Sequence, residues 1–238
     1  MQSPLKAASF LALLVITLLL TATSWSQDDD QKGGLKFTCY AWDTLPYSEM
    51  YYARGNKYLP LEFGMNSRSQ IYTLGKGQDF TIFIRSEDPE SKEPFTAIGR
   101  SAVPKGTKQV LFVVFKRPTK DGLPLSILAI DDDLSEFKPG TFRFMNWTEN
   151  PVGVTFGRKR EIIRPRTHAT LASEADANGA FVPFVIHSSN GDRLYETRLI
   201  GQTTTRDLVF IMPGQTKHQK ASVRFLSETI VTIPEPTE

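Results

Sequence analysis

The chain has 238 residues, 28 basic against 26 acidic side chains, a formal charge of +2 and 40% hydrophobic residues. That near-neutral balance removes the bulk electrostatic case for a nucleic acid or an acidic membrane as partner. A single cysteine, Cys39, excludes an intrachain disulfide, so stability has to come from a hydrophobic core, which a chain of this length can build.

The first predicted element is a secretory signal peptide over residues 1–26. Lys6 precedes an apolar run from Ala7 to Ala22, and Ser24-Trp25-Ser26 offers small residues where a signal peptidase reads. The run is shorter than the ~20 apolar residues of a membrane span; an uncleaved anchor is the alternative. No cysteine stands at the cleavage point, which argues against a lipid anchor. Residues 27–34, QDDDQKGG, read as a flexible leader.

From Leu35 the pattern is β. DFTIFIR (79–85), KQVLFVVFK (108–116), PLSILAI (124–130) and TFRFMNW (141–147) are short and rich in β-branched or aromatic residues. So are VGVTF (152–156), FVPFVIH (181–187), DLVFIM (207–212) and ASVRFLS (221–227). Val152, Val154 and Phe156 alternate with Gly153 and Thr155, the period of a half-buried strand. Arg54-Gly55-Asn56-Lys57 and Asn190-Gly191 predict hairpins, the latter a type I′ turn. Helix signals are poor: ASEADANG (172–179) has room for one capped turn, and Pro46 interrupts the ambiguous WDTLPYSEMYY.

Two internal similarities point to a duplication. Residues 110–131 resemble 208–228, each an apolar strand, a basic loop and an alternating strand. Residues 61–75 loosely resemble 142–157 through a shared Met-Asn. The expected architecture is all-β: antiparallel β-sandwich, two immunoglobulin-like units in tandem, at 35–130 and 141–230, with a tail at 231–238. One continuous sandwich is the alternative. The stretch DDDLSEFKPG (131–140) falls between the units and reads as a solvated junction loop, since unpaired carboxylates resist burial.

The chemistry-bearing residues sort as follows. Asp131, Asp132 and Asp133 are weak calcium candidates, because an EF-hand count from Asp131 puts Glu136 and Phe142 where a glycine and a glutamate belong. His168, His187 and His218 lack metal-ligand spacing, so no metal and no cofactor is expected. Cys39 has no histidine near it in sequence and reads as a small buried hydrophobe. No Gly-x-Ser-x-Gly elbow and no phosphate-binding glycine loop is present. Glu62, Glu161 and Glu196 are the acidic residues in strand-like contexts. GRKREIIRPR (157–166) reads as a solvated basic hairpin face, and Asn146-Trp147-Thr148 is a formal glycosylation sequon.

Aromatic density is the most suggestive feature. Tyr40, Trp42, Tyr47, Tyr51, Tyr52 and Tyr58 crowd one segment, and Trp147 stands in the second unit. Tyr and Trp pair a flat apolar face with a polar tip, which suits stacking on sugars or gripping a protein. The competing reading is a sheet core, since aromatics are enriched in strands.

Arg143-Phe144-Met145-Asn146, the polar turn Thr148–Pro151, Val152-Gly153-Val154 and Gly157 together resemble a hairpin of secreted bacterial β-sandwich domains of unknown function. They are also similar to an accessory protein of alginate acetylation. The Pro-Gly usual after the second strand is Pro165-Arg166 here. The resemblance implies export and a non-catalytic envelope module, and carries over no catalytic residue. The expected role is therefore an exported, periplasmic or extracellular, non-enzymatic module binding an envelope protein or polysaccharide. It is not expected to insert stably in a membrane once the signal is cleaved. The rivals are an envelope-glycan hydrolase and a structural subunit pairing through a sheet edge.

Overall fold

A computed structural model describes residues 34–230, apart from 65, 87, 89, 175–178 and 217. The expected signal peptide, nearly all of the leader and the tail lie outside the described residues, as does the middle of the possible helical turn at 172–179. Among the described residues there are strands and no helix, so none is long and apolar enough to cross a membrane.

The first eight strands are β1 (Leu35–Ala41), β2 (Tyr51–Arg54), β3 (Lys57–Pro60), β4 (Tyr72–Leu74), β5 (Phe80–Arg85), β6 (Phe95–Ser101), β7 (Gln109–Phe115) and β8 (Ser126–Asp131). The next eight are β9 (Thr141–Asn146), β10 (Val152–Phe156), β11 (Lys159–Ile163), β12 (His168–Ala172), β13 (Ala180–His187), β14 (Arg193–Gly201), β15 (Thr205–Pro213) and β16 (Ala221–Thr229). They form four sheets of four strands. The first half has β4-β1-β7-β8 over β3-β2-β5-β6, and the second has β12-β9-β15-β16 over β11-β10-β13-β14. The second half repeats the first strand for strand. Each half has the two-layer plan of an immunoglobulin domain with its own strand order, and a parallel pair, β1 with β7 or β9 with β15, at the centre of one sheet.

This topology endorses one internal similarity and corrects the other. Residues 110–131 and 208–228 hold the equivalent hairpins β7–β8 and β15–β16. Residues 61–75 hold β4, whose counterpart is β12, so their likeness to β9 and β10 was a coincidence of composition. The true counterpart of β9 is β1, and both carry a Phe five residues before a Trp: Phe37 and Trp42, Phe142 and Trp147. The β2–β3 and β10–β11 hairpins also match. Each turns on two residues with glycine first, Gly55 (φ 59°) and Gly157 (φ 60°). The Asn190-Gly191 hairpin exists, but as a five-residue loop: β13 ends at His187 and β14 resumes at Arg193, with Ser188 Oγ accepting from the amides of Asn190 and Asp192. The serine captures the turn that an Asn-Gly pair alone would have made tighter.

Each sandwich has its own core. Phe37, Phe80 and Phe112 anchor the first, with Phe80 and Phe112 stacked at 4.0 Å; Phe144, Phe156 and Phe184 anchor the second. A third apolar cluster of eight buried residues lies between the two sheets that hold the parallel pairs. Tyr40, Leu111 and Val113 meet Leu208, Phe210 and Leu226 there, with Ile130 and Phe137. This explains the unbroken apolar runs in β7 and β15. Val110, Phe112 and Val114 enter the first core while Leu111 and Val113 enter this seam, so both faces of the strand are dry. At about 1.5–3 kcal/mol per fully buried side chain, the seam's gross burial is comparable to the whole ~5–15 kcal/mol net stability of a domain. The two sandwiches are therefore one compact body over the described residues from Leu35 to Ile230 rather than beads on a linker.

The junction 131–140 fastens one end of the seam. It is not a wet loop throughout: Asp132 and Phe137 are fully buried. Arg206, also fully buried, donates Nε to Glu228 (2.6 Å), Nη2 to the Asp132 carboxylate (2.9 Å), and Nη1 to the carbonyls of Asp132 (2.9 Å) and Phe137 (3.2 Å). Arg68 of the first sandwich bonds the same Asp132 oxygen and lies 3.4 Å from Glu228. Arg143 donates to the carbonyls of Asp131 and Glu136, and the guanidinium carbons of Arg143 and Arg206 sit 4.4 and 5.1 Å from the Phe137 ring centroid. Asp132 and Glu228 occupy equivalent places in the two halves, opposite Gln109 and Arg206. Burial of a carboxylate is tolerable here because guanidiniums from both sandwiches neutralise it.

Candidate functional site at the tryptophan pair

The opposite end of the seam carries the indoles. Trp42 follows β1 and Trp147 follows β9 by one residue, and each continues its ladder with the same bond: Trp42 N–H to Val114 O and Trp147 N–H to Ile211 O, both 2.8 Å. From these equivalent positions the rings converge, with centroids 4.8 Å apart and planes inclined by 46°. Phe115 and Phe210 wedge them, each within 5.5 Å of both indoles. Arg224 of β16 lies over Trp42 at 4.1 Å and donates Nη1 to its carbonyl at 2.6 Å. Both tryptophans are half-buried, so the pair forms a floor open to water on one side.

Two adjoining depressions share Trp42 and Asp43. One, of about 390 Å³, is completed by Trp147, Phe115, Met212, Lys116 and Arg117. The other, of about 670 Å³, runs along the first sandwich past Tyr47, Leu61, Glu62 and Phe63, with Arg224 on its wall. Asp43 ties them together by accepting from the Lys116 amide at 3.3 Å. Tyr72 braces the far wall: its hydroxyl accepts from the Glu62 amide at 2.9 Å.

The structure disperses the aromatic segment singled out by the sequence. Trp42 and Trp147 come together, and Tyr47 lines the adjoining cleft. Tyr40 and Tyr52 are buried, in the seam and the first core respectively, and so are corrected to structural residues. Tyr51 and Tyr58 leave the opposite face of their hairpin from Tyr52. They form a second aromatic patch on the outer sheet with Phe83 and Phe95, the Tyr58 and Phe95 rings stacked at 4.0 Å. Strand alternation does this sorting, since neighbours in sequence point to opposite faces.

The calcium candidates are not arranged for a cation. Asp132 faces Arg68 and Arg206, Asp131 caps the Asp133 amide, and Asp133 accepts from the amide and hydroxyl of Ser135, which holds its carboxyl below the ordinary value. Among the described residues no three of His, Cys, Asp and Glu are grouped to hold a metal. Cys39 is fully buried, and burial pushes its thiol up. His168, His187 and His218 lie on β12, at the end of β13 and in the β15–β16 connection. Asn146 of the sequon is buried: its amide donates to the carbonyls of Asn150 (2.8 Å) and Ile163 (2.9 Å), and its oxygen accepts from Thr148. The basic run 157–166 is the β10–β11 turn and edge strand, where Arg158 pairs with Glu174. Glu161 and Glu196 are exposed on the second sandwich, and Glu62 alone of the three carboxylates reaches the cleft.

The signal that reasoning from sequence missed is the repeated Phe-x-x-x-x-Trp, which would have placed the two indoles at equivalent ends of one interface. The chain matches no protein-family model and no curated protein.

Proposed function

We propose that the chain is an exported, non-catalytic binding module whose tryptophan floor and adjoining cleft hold a polysaccharide strand. The observation that carries the reading is the Trp42–Trp147 pair. Two indoles brought from opposite halves of the molecule meet, half-buried, at the mouth of a seam whose eight innermost residues are buried. A pyranose presents an apolar C–H face to such a floor, and Tyr47 extends the aromatic lining into the cleft, which suits a polymer rather than a single ring. Export is supported by Lys6 and the apolar run to Ala22.

The test is affinity electrophoresis of the chain from Gln27 through gels containing individual polysaccharides, with tryptophan fluorescence as a second readout. Retardation by at least one polymer, weakened in Trp147→Ala and Tyr47→Ala, is the expected result. Retention by none, with fluorescence unmoved, would overturn it. A second reading has one observation in its favour: Asp43 and Glu62 both line the cleft, and a pair of carboxylates is the usual machinery of glycoside hydrolysis. It predicts reducing-end release that disappears in Asp43→Asn and in Glu62→Gln.

A further inference from the structure

We propose that the occupant of the tryptophan floor is an acidic polysaccharide, its carboxylates or sulfates bound by Lys116 and Arg117; this rests on the glycan reading above. β7 stops at Phe115, and the Arg117 amide donates to the Phe115 carbonyl at 2.8 Å. That tight turn throws Lys116 and Arg117 outward at the rim of the smaller depression, where both are exposed. Neither is in an ion pair among the described residues. Three other exposed arginines are held, Arg85 by Tyr51 and Glu49, Arg158 by Glu174 and Arg193 by Glu196, while Arg100, Arg160, Arg164, Arg166 and Arg198 share the lack of an ion pair among the described residues but line neither depression. The one carboxylate lining the smaller depression, Asp43, accepts from the Lys116 backbone rather than from either side-chain cation.

The charge lining the smaller depression is also one-sided, Arg224 of the second half lying over Trp42 from the larger cleft. In the register of the two halves, Phe115 and Lys116 correspond to Met212 and Pro213, so the second half faces the tryptophans with no cation at those positions. A sugar stacked on the indoles would have one edge against Lys116 and Arg117 and the other against apolar Met212. That arrangement fits a ring carrying an anionic group on one edge. A planar guanidinium binds carboxylate and sulfate through paired hydrogen bonds, and such charge-assisted bonds are roughly twice as strong as neutral ones.

The chain from Gln27 keeps two of the three tryptophans, Trp42 and Trp147, so its intrinsic fluorescence reports this site alone. It is titrated with dextran, dextran sulfate and polygalacturonate at low and at high salt. The expected result is a fluorescence change with the acidic polymers, at least about tenfold tighter than with dextran at low salt, and weakened by salt. Lys116→Gln/Arg117→Gln alters only exposed side chains. It should lower acidic-polymer affinity about tenfold and flatten its salt dependence. The carboxylate and sulfate arms separate the two anion chemistries. Equal binding of dextran, unchanged in the double variant, would overturn the acidic ligand while leaving a glycan site standing. Polyanion binding that leaves the fluorescence unmoved and persists in Trp147→Ala would also overturn it, as contact elsewhere on the surface. No binding to any of the three polymers, with or without the substitutions, would remove both this proposal and the glycan reading.

Discussion

Arg206→Met tests whether the junction network, and not the apolar seam alone, fastens the two sandwiches. The substitution keeps a long unbranched side chain and removes the guanidinium. Two buried carbonyls, of Asp132 and Phe137, lose their donor; at about 1–3 kcal/mol for each unsatisfied buried group, that is ~2–6 kcal/mol. Asp132 keeps Arg68 and Gln109, and Glu228, one-fifth exposed, can turn to water, so neither carboxylate adds its full desolvation cost. The expected loss is therefore about 3–5 kcal/mol, the range for breaking a buried ion pair. With about 2–4 °C per kcal/mol for a chain of this size, Tm should fall by roughly 6–20 °C. Urea unfolding of the chain from Gln27, followed by tryptophan fluorescence, reads the seam directly. Arg68→Met is the control: Arg68 already has two buried nitrogens, Nε and Nη2, without a partner, so its removal should cost about 1 kcal/mol or less. A loss below about 1 kcal/mol for Arg206→Met, or equal losses for the two variants, would refute the reasoning.

Three further outcomes follow from single residues. Burial raises the Asp207 carboxyl above its ordinary value, against the opposing bonds from Ser227 and Thr205. Its favourable contribution is thus complete below the unfolded-state pKa and is lost as pH rises through the folded-state pKa, so Asp207→Asn should gain on the wild type between acid and neutral pH; a gap in urea midpoint that does not change with pH would contradict this. Gly55→Ala meets no atom and should cost only the positive-φ strain, about 1–2 kcal/mol, whereas Gly157→Ala also brings its Cβ to 3.3 Å from Val182 and should cost more in thermal melts. Cys39 should resist a water-soluble thiol reagent at pH 8 in the native protein and react at once in urea, because the thiol is both buried and pushed up in pKa.

The strands were legible wherever one face met water and the other a core, as in Val152, Val154 and Phe156. The seam left a mark that went unread, in VLFVVF and LVFIM, where alternation fails because both faces are dry. β1, β4, β6 and β12 were not picked out as strands, and for two of them the physical reason is plain. β6 carries Gly99, where an added Cβ would lie only about 3 Å from Leu125 and Ile127, and β12 is short and mostly exposed. The fate of DDDLSEFKPG could not be read locally. What makes a buried Asp132 tolerable is Arg68 and Arg206, 64 and 74 positions away. The tryptophan site was half legible: both indoles stood out as residues, but their meeting depends on equivalent strand ends facing each other across the seam.

That seam joins like to like: Trp42 to Trp147, and Asp132 with Glu228 around Arg206 and Arg68. It is the contact pattern of a two-fold dimer held in a single polypeptide. A true dimer must decorate both sides of its axis identically. One chain is free of that constraint, and its halves have parted company where it matters: Gln109 against Arg206, Lys116 against Pro213. The first difference leaves Arg206 without a symmetry-related arginine competing for the carboxylates it shares with Arg68 at the base. The second gives the smaller depression a charged bank at Lys116 and an uncharged one at Met212 and Pro213, so that this part of the site has a direction. A polymer lying across it would meet a different chemistry at each end, and the molecule could tell one orientation of its ligand from the other.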